Sequence, residues 1–281
     1  MAAGAAPLQR GEAATAFVAH FYPHPEHTMK LSGNTVFITG ATSGIGRGLA
    51  EALHRLGNQV IISGRRKHLL DEVTAANPGM QGIELDITSP DSIASVASWL
   101  KTNHPTLNVL INNAGLMPFD DPASAIDDAV TLNILTTNLL GPIRMTSALI
   151  EHLKAQPSAT IIHNTSVVSF MPLAGNAVYS AGKAALHSYT QTQRFALRDT
   201  SVEVIEIAPP WVDTDLIHKS GDPRAMPLDA YIEDTIRQLG AGEQEIIVDG
   251  IRALRDNPGT GEYKLIAEFN QMLVDNPIPV G

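Results

Sequence analysis

The segment TGATSGIG, residues 39–46, constrains this chain more than any other, because it sets three glycines directly behind the apolar run Val36, Phe37, Ile38. Glycine carries no Cβ, so the backbone can turn sharply from strand to helix and bring its N–H groups close to a ligand. At a helix N-terminus those donors lack intrahelical partners, and the positive end of the helix dipole lies there too; together they suit a pyrophosphate. Gly40, Gly44 and Gly46 are spaced for a dinucleotide. The helix expected next carries Ile45, Leu49, Leu53 and Leu56 on one face.

From Asn34 onward, short β-branched runs alternate with longer stretches of helical period, the pattern of repeated βαβ units. Strands are expected at 36–39, 59–63, 82–85, 108–111, 160–164, 202–207 and 246–248. Helices are expected at 45–56, 67–76, 89–101, 125–154, 178–199 and 228–238. Right-handed crossovers place such helices on both faces of one sheet. The expected fold class is therefore α/β: a doubly wound, parallel, Rossmann-type sheet of about seven strands in a single domain. No repeat, linker or change of composition divides residues 30–281. Residues 1–29 are rich in Ala and Pro, and charge interrupts their apolar stretch before a secretory core forms. They are read as an N-terminal extension, disordered or loosely docked.

Composition narrows the partners. A net charge of −10 disfavours nucleic acid and anionic lipid, both of which need a cationic face. No apolar run approaches the roughly 18 residues of a bilayer span, so no membrane partner is expected. Cysteine is absent, which rules out thiolate chemistry and disulfides and suits a cytoplasmic location. The histidines show no H-E-x-x-H pair or comparable ligand spacing, so no metal is expected. The motif G-x-S-x-G is missing, which disfavours a hydrolase built on Ser43.

The second expected strand ends in SGRRK, residues 63–67. An acid at this place would bond the ribose 2′-OH of NAD, whereas an arginine accommodates a 2′-phosphate. Arg65, Arg66 and Lys67 oppose the dipole of the helix they open, and an anionic ligand gives them a reason to be there. NADP(H) is favoured, NAD(H) remains possible, and Arg65 is the foremost phosphate ligand.

YSAGK puts Tyr179 and Lys183 four residues apart at the start of a helical pattern, hence on one face. An ammonium close to a phenol favours the phenolate and makes proton transfer feasible near neutral pH. Ser166 lies thirteen residues before Tyr179, just past the strand ATIIHN, at the sheet edge where open α/β folds bind ligands. Thr165 and Ser169 compete with it for the same place.

The variant T-G-x-x-x-G-x-G, together with NNAG (residues 112–115) and YSAGK, resembles the short-chain dehydrogenase/reductase family over about residues 30–250. The resemblance implies that Tyr179 gives or takes a proton, that Ser166 holds the substrate oxygen, and that Lys183 binds the nicotinamide ribose. It implies that Asn138, in TTNLLGP, anchors a water connected to Lys183. For the cofactor it implies the turn Gly40, Thr42, Ser43, Gly44, Ile45 and Gly46, then Asp86 at the adenine with Ile87 beside it. Asn113, Ala114 and Gly115 would flank the cofactor. APPWVDT resembles the family's P-G-x-V-x-T, with Pro209, Val212 and Thr214 in place and Pro210 where the family has glycine. The stiffer proline also lacks an N–H.

The activity so implied is hydride transfer between nicotinamide and a small carbonyl or alcohol substrate. A catalytically silent NADP(H)-binding regulator is the rival, and an epimerase or dehydratase a third reading. Met117, Phe119, Met171 and Trp211 are the candidate pocket residues and make the expected substrate predominantly apolar. Residues 211–229, with Gly221, Pro223 and Pro227, are read as a substrate lid. The helices at 125–154 and 178–199 carry surplus apolar residues, and the family pairs such helices, so a homodimer or homotetramer is expected.

Overall fold

Seven short runs become strands: β1 (Thr35–Ile38), β2 (Gln59–Gly64), β3 (Gln81–Glu84), β4 (Leu107–Asn112), β5 (Ala159–Asn164), β6 (Val202–Ile207) and β7 (Glu245–Ile246). In this computed structural model, which describes residues 29–256 and 261–277, they pair in parallel in the order β3-β2-β1-β4-β5-β6-β7. The helices are α1 (Gly44–Arg55), α2 (Lys67–Ala76), α3 (Pro90–Asn103), α4 (Asp128–Leu135), α5 (Gly141–Lys154), α6 (Ala177–Leu197), α7 (Leu228–Gly240), α8 (Arg252–Arg255) and α9 (Glu262–Asp275).

The central strands β1, β2 and β4 read as near-continuous apolar runs because both faces of the sheet are covered there. Val36 and Ile38 pack with Leu49 and Leu53 of α1 and Tyr231 of α7. Phe37, between them, points the other way and packs with Leu100 of α3 and Leu149 and Leu153 of α5. A strand turned by one residue would exchange the two cores, so the register is fixed from both sides. Burying each such side chain stabilises the fold by about 1.5–3 kcal/mol.

All seven strands fall where the sequence places them, within a residue or two. The helix expected at 125–154 differs. Asp127 caps α4 by accepting from the N–H groups of Ala129 and Val130, so the helix begins three residues later than expected. It then widens into a π-turn over Thr136–Leu140, closed by the Gly141 N–H on the Thr136 carbonyl. Pro142 has no N–H to give the carbonyl four residues back, that of Asn138, so an α-helical bond is impossible there. Gly141 approaches β3's exit closely, since a Cβ on it would lie 2.6 Å from Ile87 Cγ1.

α8 and α9 were not expected. The sequence signal for α9 is present: Leu265, Ile266, Phe269, Met272 and Leu273 recur with helical period. Residues 1–28, most of the expected extension, lie outside the described residues. Met29 is buried, and its N–H donates to the Glu203 carboxylate at 3.0 Å. Leu132, Leu140 and Phe195 leave large apolar side chains exposed along the helical stretches on which the expectation of an assembly rests.

Gly46 sits inside the first turn of α1 with no room for a side chain: a Cβ would lie 2.3 Å from Asn113 Nδ2 and 2.5 Å from the Gly40 carbonyl. Gly46→Ala is expected to lower the unfolding free energy by about 1–3 kcal/mol, the usual cost of overpacking. Equilibrium urea denaturation of the two proteins, with an unchanged m-value, is the measurement that checks it.

Candidate active site

From β1 the chain winds outward through β2 to β3, and from β4 it winds the other way to β7. The connections leaving β1 and β4 therefore part company, which opens a crevice beyond their C-terminal ends. A cavity of about 1220 Å³ occupies that place. The glycine turn is its floor. Gly40 has φ of +66°, and a Cβ there would lie 2.6 Å from Ala114 Cα, so the turn after β1 and the NNAG segment after β4 touch backbone to backbone.

Asn113 fixes this contact: its side-chain amide donates to the carbonyls of Thr39 (3.1 Å) and Gly40 (2.9 Å), and its Oδ1 accepts from Asn164 Nδ2 (2.7 Å). Thr39 Oγ1 accepts from the N–H groups of Asn113 and Ala114. Three strand ends are thus stitched together. Beside them α1 begins with no side-chain cap from Ser43 and no acid in its first turn. An uncapped helix N-terminus lined by glycine suits the pyrophosphate of a dinucleotide.

Gly40, Thr42, Ser43, Gly44, Ile45, Gly46, Arg65, Arg66, Asp86, Ile87, Asn113, Ala114, Gly115, Pro209, Val212 and Thr214 all line the cavity. Arg66 reaches Thr42 Oγ1 at 3.4 Å. Lys67, the third cation of that cluster, instead pairs with Asp71 one turn along α2. Asp86 holds its own loop, with Oδ1 accepting from the N–H (2.9 Å) and hydroxyl (2.7 Å) of Thr88. Those bonds keep its carboxyl below the ordinary range.

Ser166, Tyr179 and Lys183 line the same cavity, beyond the NNAG segment. α6 begins without a cap from its own Asn176. Asp120 supplies one from a distance, accepting from the N–H groups of Ala177 (2.7 Å) and Val178 (2.9 Å) and so setting where Tyr179 sits. Lys183 is buried, donates to the Asn164 carbonyl at 2.7 Å, and lies 5.6 Å from the Tyr179 ring centroid.

Asn138 does not line the cavity. It is wholly buried in the π-turn, where Oδ1 accepts from the Leu116 N–H (2.9 Å) and Nδ2 donates to the Leu116 carbonyl (2.8 Å). Of the hydroxyls that compete with Ser166, Thr165 donates to Glu206 at 2.6 Å, and that of Ser169 is buried with no partner among the described residues.

Two candidate pocket residues are corrected. Phe119 is 47% exposed and faces away, because Asp120 next to it must reach the start of α6. Met171 is buried in the protein, its N–H held by the Val167 carbonyl in a tight turn. Met117 and Trp211 do line the cavity, joined by Leu173, Ile217, Phe269 and Leu273. Phe269 and Leu273 come from α9. Asn270 Nδ2 ties that helix to the Pro172 carbonyl (3.0 Å), and Arg224 ties its end to the Asn276 carbonyl (2.6 Å). The stretch 211–229 walls the same end, with Val212 bridged to Met226 and Asp213 accepting from Ser220 and Gly221. Despite Pro210, Ser166 and Val167 both reach the Pro209 carbonyl.

Burial dominates the electrostatics. It pushes the Tyr179 phenol up, against the opposing hydrogen bond with Ser166. The net direction is opposite to the lowering expected from a neighbouring ammonium. Burial also drags the Lys183 ammonium down to about 8, with the Glu206 carboxylate resisting. His163 of β5, bonded to Gln193 at 2.8 Å, is brought down to about 4 by burial and stays neutral.

The sequence profile of the short chain dehydrogenases matches residues 34–225. The chain is 38% identical over 248 residues to an uncharacterized oxidoreductase, DltE, of Bacillus subtilis (strain 168), covering 86% of this chain and 98% of that protein. It is 37% identical over 186 residues, 66% of this chain and 62% of the relative, to the NADPH-dependent 1-acyldihydroxyacetone phosphate reductase of Schizosaccharomyces pombe. Among solved structures, a short chain dehydrogenase from Burkholderia cenocepacia J2315 in complex with NADP superposes with a TM-score of 0.73 at 26% identity, covering 89% of this chain and 100% of that one.

The neutral His163 links stability to pH. Its folded pKa of about 4 lies below the free value of 6.5, so the folded state takes up its proton later than the unfolded chain. Its contribution is complete above pH 6.5 and is lost as pH falls from there through 4, by roughly 3 kcal/mol in all. In His163→Gln that part of the acid slope is expected to vanish, as read from unfolding free energies measured across this range.

Proposed function

The chain belongs to the short-chain dehydrogenase family, and from that premise we propose that it is an NADP(H)-dependent oxidoreductase acting on the carbonyl or alcohol group of a predominantly apolar small molecule. The observation that carries this reading is a shared wall: Ser166, Tyr179 and Lys183 line one cavity with the uncapped, glycine-lined start of α1. The glycine turn at the start of α1 and Lys183 would hold a nicotinamide dinucleotide, which would provide the hydride chemistry.

The chain's own groups do the rest. Ser166 and Tyr179 present hydroxyls to the substrate oxygen. Because burial raises the Tyr179 phenol, it is protonated when substrate arrives, as the donor for carbonyl reduction has to be. Lys183 is held by the Asn164 carbonyl beside the Tyr179 ring, where its charge stabilises a phenolate left after proton donation. Met117, Leu173, Trp211, Phe269 and Leu273 exclude water around these groups, which strengthens each of the electrostatic contacts. Asn138 serves as a positioning residue by gripping Leu116 next to Gly115.

For the cofactor, Arg65 and Arg66 on the cavity rim offer the guanidinium that a 2′-phosphate needs, and no acid stands between β2 and α2 to bond a free 2′-OH. The NADPH dependence named for the Schizosaccharomyces pombe relative and the NADP held by the Burkholderia cenocepacia structure support the same choice.

Oxidation of NADPH against a panel of apolar ketones, aldehydes and quinones, followed at the nicotinamide absorbance, tests the activity. Tyr179→Phe is expected to lower turnover of any substrate found by about 10²–10⁴-fold. Equal rates in both proteins would sink the tyrosine mechanism, and a panel with no turnover would favour a silent binder. Arg65→Asp is expected to raise the KM for NADPH at least about tenfold, or about 1.4 kcal/mol, and to lower that for NADH. Unchanged constants for both cofactors would remove Arg65 from the phosphate site.

A further inference from the structure

Beneath the active site lies a fully buried carboxylate that the proposed mechanism does not use. Glu206 occupies β6, where the register sets it beside His163 of β5 and Glu245 of β7. A charge so placed is costly unless it is bonded on every side. Two donors meet it. Thr165 Oγ1 donates to its Oε1 at 2.6 Å, and His187 Nδ1 lies 2.8 Å from its Oε2.

Both contacts adjoin those of the active-site lysine. Thr165 follows Asn164, whose carbonyl accepts from Lys183. His187 stands one turn beyond Lys183 on the same face of α6. The two residues of the helix thus rest on neighbouring bonds: the ammonium on the end of β5, the imidazole on the carboxylate of β6. We infer that Glu206 is a positioning residue for this active site, a buried countercharge set next to the anchor of Lys183, with Thr165 and His187 holding the carboxylate in place.

The other groups around Glu206 leave it that task. From β5, His163 is neutral and bonded to Gln193. From β7, Glu245 brings a second carboxylate, which Arg255 of α8 meets at 3.0 Å. From α6, Arg194 is directed to the carbonyls of Val204 and Gln244. Also from α6, His187 bonds the carboxylate and Lys183 is attracted by it. Burial favours the neutral amine of Lys183, and the attraction of Glu206 works against that.

The catalytic consequence rests on the reading of Tyr179 and Lys183 given above; the titration of the lysine does not. The test is therefore made on the full chain without substrate, labelled with [13Cε]lysine and titrated by NMR, with Lys183→Met identifying the Lys183 signal. In the wild type that signal should titrate near 8. In Glu206→Gln, which keeps the shape and an acceptor but not the charge, the midpoint should fall by about one pH unit or more. In Glu206→Asp it should return toward the wild-type value. Thr165→Val, which removes a bond but no charge, should move it by less than about half a unit.

A folded Glu206→Gln protein with an unmoved Lys183 midpoint overturns the inference, since a merely structural glutamate would give that result. Should Glu206→Gln fail to fold, the double variant Glu206→Gln/His187→Gln pairs two amides across the same gap, and the same shift is expected of it. Where a substrate is known, the alkaline limb of kcat/KM should move down with the NMR midpoint. A shift in the lysine titration without any turnover would leave the role of Glu206 standing and count against the oxidoreductase reading alone.

Discussion

The contact between Gly40 and Ala114 is the constraint on which the rest of this molecule depends. It joins the turn after β1 to the segment after β4 at the place where the winding of the sheet reverses, and it admits no side chain. Asn113 then bonds both strand ends and, through Asn164, a third. The crevice that forms there is consequently rigid along its floor, and the first turn of α1 is aimed into it with its N–H groups uncommitted. A floor suited to a phosphate and a fixed origin for the proposed catalytic side chains follow from the same few bonds.

From that origin the active groups are placed by borrowed contacts rather than by their own elements. α6 takes its cap from Asp120, on the loop that follows Gly115. The stretch after Gly115 is gripped by Asn138 out of a π-turn that Pro142 makes necessary. Each of these holds a reacting group at a distance from its neighbours that local helix geometry would not supply. A misplacement of about 1 Å in such a site costs on the order of 10²-fold in rate.

The glycine turn, the seven strands and YSAGK were legible in the sequence because each is a local pattern: a conformational demand, a run buried on both sides, a helical spacing. SGRRK was legible for its charge, although Lys67 turned out to serve Asp71. Phe119 and Met171 were misread because chain proximity to a motif says nothing of direction; Asp120 turns one outward, and a tight turn draws the other in. Glu206 escaped notice in a strand read for its apolar residues, since its partners Thr165 and His187 lie 41 and 19 residues away in sequence. α9 did carry a visible period, but nothing local ties Phe269 and Leu273 to Tyr179.

Enclosure and protonation are then one problem. The apolar walls contributed by Trp211, Leu173 and α9 exclude water from the site, and in doing so they favour the neutral form of every titratable group behind them. For the phenol of Tyr179 and the imidazole of His163 that suits the arrangement, because the proposed proton donor and an inert core residue are both wanted neutral. Lys183 is the exception: a discharged amine would neither hold a phenolate nor repel a proton. The same burial that loads the phenol therefore demands an opposite charge for the lysine, and β6 can deliver one from below without opening the cavity to solvent. Glu206 stands where that demand falls, so the dryness of the site and the buried carboxylate beneath it are two sides of one electrostatic requirement.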